Sequence, residues 1–132
     1  MTKGPTGVLL AVVLTTALTL AVAASGHNTK IKTEVEITIT SGPLSDFHVS
    51  GNVLSERKAC RVPRKVRLYG FENPKERGDL IDEGKTENDG EFLLAGDLEP
   101  YAGARVRALR KDIGPGDHKH ICKAAADTVG FG

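Results

Sequence analysis

Tryptophan is absent from this 132-residue chain, and only two tyrosines and four phenylalanines are present. Carbohydrate platforms and base-stacking grooves are built from flat aromatic faces, so a site of that kind is disfavoured. Net charge is missing as well, because 18 Lys and Arg stand against 17 Asp and Glu for a formal +1. No global field therefore draws the chain to nucleic acid or to a membrane surface. There is also no nucleophile-base-acid set, no glycine-rich phosphate loop and no cysteine-rich zinc spacing. The chain is accordingly read as not an enzyme, with no cofactor expected.

Residues 1–24 read as a secretory signal peptide. Lys3 precedes an apolar and Thr-containing stretch from Gly7, and the small residues of Ala21-Val22-Ala23 and Val22-Ala23-Ala24 suit a cleavage site. Cleavage after Ala24 is the working choice, and an uncleaved membrane anchor is the alternative, since the stretch approaches a bilayer span. The expectation is a secreted, extracellular protein. About 108 residues remain, enough for one core and little more. We divide them into an N-terminal extension, 25–44, and a domain, 45–132.

Cys60 and Cys122 are the only cysteines. In an oxidising compartment their pairing within the chain is the simplest outcome, an intermolecular bridge or free thiols being the alternatives. Closing a loop of about 63 residues would stabilise the fold by roughly 4 kcal/mol.

Apolar residues recur with period two. Ile31, Thr33, Val35, Ile37 and Ile39 alternate with charged and polar residues through 30–40, which predicts a strand with one buried face. Phe47, Val49, Gly51 and Val53 share the face of a second strand, and Val66 and Leu68 point inward from a third, leaving Lys65, Arg67 and Tyr69 outward. Residues 56–59 read as a polar turn and 72–79 as a charged loop. Residues 80–86 and 91–95 read as the arms of a hairpin around Asn88-Asp89-Gly90, residue types that tolerate positive φ. Residues 104–108 alternate again, and 120–129 supply a last strand, although 119–127 could also form a turn or two of helix. Six or seven short strands in about 100 residues indicate an all-β sandwich of Greek-key type.

The stretch Val66–Asp97 carries Leu68-Tyr69, Asp79-Leu80-Ile81, Gly84-Lys85-Thr86 and Asp89-Gly90-Glu91-Phe92. In these it resembles the secreted transthyretin-like proteins of nematodes. Gly51-x-Val53, the Cys60–Pro63 segment and His120-Ile121-Cys122 are similar to that family's opening strand, cysteine and proline, and late His-x-Cys pattern. The resemblance spans roughly 47–122. It implies a transthyretin-like (prealbumin-like) Greek-key β-sandwich of about seven strands, acting as an extracellular carrier or bridging ligand for a small apolar molecule, lipid, glycan or receptor. Strand 30–40 precedes the point where such domains begin, and reads as an added edge strand or a loosely held arm. The related hydroxyisourate hydrolases end in Tyr-Arg-Gly-Ser, whereas this chain ends Val129-Gly130-Phe131-Gly132. A hydrolase on the same scaffold and a structural matrix component are the alternatives to a binding protein.

Positive charge gathers at Arg57, Lys58, Arg61, Arg64, Lys65 and Arg67, and again at Arg105, Arg107, Arg110 and Lys111. Were those two strands neighbours, Arg64, Lys65, Arg67, Arg105 and Arg107 would form an anion-binding face for sulfate or phosphate groups. A solvated face balanced by acidic neighbours is the plainer reading. Three histidines are weak metal candidates. His118 and His120 could join Cys122, and His27 would complete a square-planar copper or nickel set were the chain to begin Ser25-Gly26-His27. Residues 72–99 hold ten acids against three bases, a composition calcium favours, though without a spaced loop of the EF-hand kind.

Overall fold

The alternation seen in the sequence becomes two facing sheets. The computed structural model describes residues 28–41, 46–116 and 118–131. The signal-peptide reading and the His27 site fall outside the described residues. In chain order the elements are β1 (Thr29–Ile31), β2 (Glu34–Ser41), β3 (Asp46–Leu54), α1 (Lys58–Arg61), β4 (Lys65–Phe71) and β5 (Asp79–Lys85). There follow β6 (Glu91–Asp97), β7 (Gly103–Ala108), β8 (Lys111–Ile113), β9 (His120–Cys122) and β10 (Ala125–Gly130). The described residues are all-β apart from the single-turn α1. No helix among the described residues is long and apolar enough to cross a membrane.

One sheet has the order β10-β7-β4-β5 and the other β2-β3-β6, all neighbours antiparallel. Val35, Val49, Val53, Phe92 and Leu94 from the second sheet meet Val66, Leu68, Ala104, Val106 and Ala108 from the first in one buried cluster. Each fully buried Val or Leu there contributes roughly 1.5–3 kcal/mol relative to exposure. Gly51 on β3 must be glycine because a Cβ would fall 2.0 Å from the Glu36 carbonyl oxygen and 2.7 Å from Phe92 Cζ of the two flanking strands. The sheet interior leaves that position no room for a side chain.

The predicted strand over 30–40 is two strands. β1 pairs in parallel with β9, and β2 runs the length of β3 as an edge strand, with Val35 in the core. The core thus crosses the boundary drawn at residue 44. Residues 119–127 are not helical. They hold β9 and the start of β10, which enter different sheets. The expected hairpin between 80–86 and 91–95 is corrected too. Asn88 (φ 53°) and Gly90 (φ 116°) do make a tight turn, but it carries the chain across the sandwich, since β5 pairs with β4 and β6 with β3. Three strands beyond the expected seven are β1, β8 and β9, each three residues long and too short to show a period.

These three form a separate small sheet, β1-β9-β8, at one end of the sandwich. Ile31 and Ile113 there pack against the Cys60–Cys122 disulfide, which is present within the chain with Cα atoms 5.5 Å apart.

Candidate basic face

Strands β4 and β7 are neighbours, so the condition for a basic face is met. Arg67 stands directly opposite Arg107 in the register, and Tyr69 opposite Arg105. Because Val66, Leu68, Val106 and Ala108 turn inward, the alternate residues must turn outward. Arg67, Arg105 and Arg107 therefore share the outer surface of the β10-β7-β4-β5 sheet. They border a concavity of about 520 Å³ walled also by Tyr69, Leu109 and Ala126 and by the 74–77 loop with Lys75, Glu76 and Arg77.

The five cations do different things. Arg105 secures the loop. Its guanidinium donates to the carbonyls of Pro74 (2.6 Å), Glu76 (2.6 Å) and Arg77 (3.3 Å), and lies 4.9 Å over the Phe71 ring. Its Nε donates to Thr128 Oγ1 at 3.2 Å. Arg67 is ion-paired with Glu83 on β5. The Arg67 hydrogen bond holds the Glu83 carboxyl below the usual carboxylate range, with Lys65 and Arg67 adding Coulombic attraction. In return Glu83 first, then Tyr69, raises the Arg67 guanidinium. The side chains of Arg107 and Lys75 make no hydrogen bond or salt bridge among the described residues. Lys65 is exposed one row further along and stands opposite Lys85 on β5, a second like-charged pair on adjacent strands.

Arg64 does not belong to this face. It is 1% exposed, and its guanidinium is spent inside the protein. Nε donates to Leu109 O (2.6 Å), Nη1 to Cys60 O (2.8 Å) and Thr33 Oγ1 (3.1 Å), and Nη2 to Lys123 O (2.7 Å) and Cys122 O (3.4 Å). Those are five donors to five neutral acceptors. Burial pushes its pKa below the ordinary arginine value, yet it remains a cation. Residue 64 precedes β4, where the chain still lies under the small sheet, so the outward alternation begins only at Lys65. Lys111 helps to close the same end. Its ammonium donates to Ala59 O (2.8 Å) and Pro63 O (2.7 Å). Arg61 pairs with Asp89 and Arg110 with Asp112, so neither joins the face.

The metal candidates are not assembled. His120 opens β9, His118 lies in the turn before it, and Cys122 is oxidised and offers no thiolate. Among the described residues no three His, Cys, Asp or Glu side chains converge for a metal, the acidic 72–99 stretch included. Lys75 and Arg77 were missed as contributors to the basic concavity because they sit within that acidic stretch. A segment's summed charge hides which side of a sheet each residue reaches. No protein-family model, no curated protein and no solved structure matches this chain.

Proposed function

We propose that this is an extracellular binding protein whose ligand surface is the outer face of the β10-β7-β4-β5 sheet, taking the sulfate or phosphate groups of an anionic glycan. The observation that carries the reading is the Arg67–Arg107 pair. Like charges directly opposite on adjacent strands disfavour the sheet, and here Glu83 offsets the charge of Arg67 while that of Arg107 is left unpaired among the described residues, beside an open concavity rimmed by Lys75 and Arg77. An anion seated between the guanidiniums turns that repulsion into charge-assisted hydrogen bonds, which are about twice as strong as neutral ones.

The intrachain disulfide suits an oxidising compartment outside the cell. In this reading the fold is transthyretin-like and Greek-key, on the strength of the Val66–Asp97 motifs. The concavity beside Arg67 and Arg107 is lined by four arginines and a lysine against Glu76, which favours an anionic ligand over a small apolar one. We expect no hydroxyisourate turnover.

Heparin affinity chromatography tests the proposal. The wild-type chain is expected to be retained at low salt and to elute as salt screens the charges. Lys75→Glu combined with Arg107→Glu should elute in the low-salt wash. Equal elution of variant and wild type, or no retention of either, would sink the reading. Vesicles carrying phosphatidylserine, run in parallel, separate lipid headgroups from sulfated glycan as the source of the anion.

A further inference from the structure

Residues 77–80 read Arg-Gly-Asp-Leu, with Arg77, Asp79 and Leu80 exposed and Gly78 half-buried where the charged loop enters β5. The Arg77 and Asp79 side chains are exposed, and Leu80, at 55%, is among the few large apolar residues left in water. Gly78 between them has φ +92°, a conformation that side chains rarely adopt. A Cβ at Gly78 would also lie 2.2 Å from the Gly70 carbonyl oxygen. The glycine is thus required by the fold, and it separates a guanidinium from a carboxylate by one residue.

The two charges are held apart. Arg77 borders the basic concavity, whereas Asp79 borders a neighbouring one beside Tyr101 and Phe71. Tyr101 donates its hydroxyl to Asp79 Oδ2 at 2.9 Å, which fixes the carboxylate and raises the phenol's pKa. No hydrogen bond takes up Oδ1 among the described residues. The guanidinium of Arg77 makes no hydrogen bond or salt bridge there either, while its own carbonyl is tethered by Arg105. The backbone is therefore held from one side while both charged ends remain available. A partner that reads this display needs acidic groups for the guanidinium, which they engage bidentately. A divalent cation with an open position on that partner would take the second carboxylate oxygen, the preferred ligand of such hard ions.

We propose that Arg77-Gly78-Asp79-Leu80 is a second binding site, for a cell-surface protein receptor that binds the Asp79 carboxylate through a divalent cation. It shares Arg77 with the rim of the basic concavity but does not rest on the anion-binding reading. Leu80 extends the contact with apolar area whose removal from water favours association.

Surface plasmon resonance of the full chain over an immobilised integrin ectodomain of the type that binds Arg-Gly-Asp, in magnesium buffer, is the test. Saturable binding is expected, with loss of all signal in EDTA. Asp79→Glu, which keeps the charge but lengthens the side chain, should weaken binding at least tenfold, as should Arg77→Ala. Tyr101→Phe should weaken it several-fold by freeing the carboxylate. Lys75→Ala/Arg107→Ala, which weakens heparin binding without placing a carboxylate beside Arg77, should leave it within twofold, so failure of heparin binding and failure here are distinguishable. No saturable binding, binding that survives EDTA, or full affinity in a folded Asp79→Glu chain would overturn the proposal.

Discussion

Asp82 and Asp127 occupy equivalent places at the two opposite seams of the sandwich. Each uses Oδ1 to accept the N–H of the next residue, Glu83 (2.8 Å) and Thr128 (3.0 Å) respectively. Each uses Oδ2 to accept an N–H from the edge strand of the facing sheet, Ala95 on β6 (2.9 Å) and Ile37 on β2 (3.2 Å). An unpaired edge N–H is both an energetic cost and a template for adding another strand. The two carboxylates close the sandwich where neither sheet can curl far enough to close itself. Asp82→Ala and Asp127→Ala are expected to cost about 1–2 kcal/mol each by leaving partly buried donors unpaired. Because the seams are far apart, the double variant should show nearly additive loss in urea unfolding. Asn at either position keeps an acceptor oxygen and should cost less. Sedimentation should reveal concentration-dependent association in the double Ala variant. A pair of folded Ala variants with wild-type midpoints would remove the stitching role.

Arg64 gives a second expectation. Its five donors satisfy carbonyls of Cys60, Leu109, Cys122 and Lys123 and the Thr33 hydroxyl, and all of these would be stranded by truncation. Arg64→Met should therefore destabilise by about 3 kcal/mol or more, since orphaned buried acceptors cost more than the net value of the bonds lost. Arg64→Lys keeps the charge but offers one ammonium in place of a planar fork, and should recover only part of the loss. Guanidinium denaturation of the oxidised proteins measures both. Arg64→Lys within about 0.5 kcal/mol of wild type would show that charge alone suffices, against the geometry argued for the fork.

The faces of the long strands were legible because period two is a local signal. Val49 and Val53, Val66 and Leu68, and the alternation through Val106 need no knowledge of their partners. Partner choice is another matter. The turn at Asn88 and Gly90 has the same chemistry whether the chain returns to its own sheet or crosses to the facing one. Only the remote pairings with β3 and β4 decide that, so the local sequence reads equally well as a hairpin. Arg64 and Lys65 are adjacent and alike in charge, yet one is buried and the other exposed. The difference is set by β1 and β9, strands from opposite ends of the chain that lie over residue 64 but not over 65. Asp82 and Asp127 were invisible as stitches for the same reason, each being one acid among many until the seam is formed.

The small β1-β9-β8 sheet should depend on the disulfide more than the sandwich does. Its apolar support is slight, consisting of Ile31 and Ile113 around Cys60 and Cys122. Replacing both cysteines by serine removes a cross-link worth roughly 4 kcal/mol on the chain-entropy model. Hydrogen exchange should then accelerate at the N–H of Lys123, bonded to Ile31 O at 3.0 Å, and at Thr29, bonded to Lys119 O at 3.1 Å. Amides of β3 and β4 should retain a larger share of their protection, as expected when a weakly packed unit opens below the global unfolding energy. Uniform loss across both regions would mean that the small sheet and the sandwich are one cooperative unit.

Acidification should strengthen anion binding through Glu83. Its carboxyl is held below the ordinary value chiefly by the Arg67 hydrogen bond. A depressed folded-state pKa means that the pair's contribution to stability is present above the ordinary carboxylate range and is lost as pH falls through the lowered value. Both groups are solvent-exposed, so the stability effect is small. The effect on binding is larger, because protonation frees the Arg67 guanidinium at the edge of the concavity. Glu83→Gln should reproduce the change at neutral pH. Heparin elution is then expected at higher salt for Glu83→Gln than for wild type at pH 7. Wild type should approach the variant only as pH falls through the lowered Glu83 value, the other carboxylates strengthening retention of both chains alike. Adding Arg67→Ala to Glu83→Gln should cancel the gain, since the released group is then absent. A Glu83→Gln chain that elutes with or before wild type at pH 7 would place the competition for Arg67 elsewhere than at this ion pair.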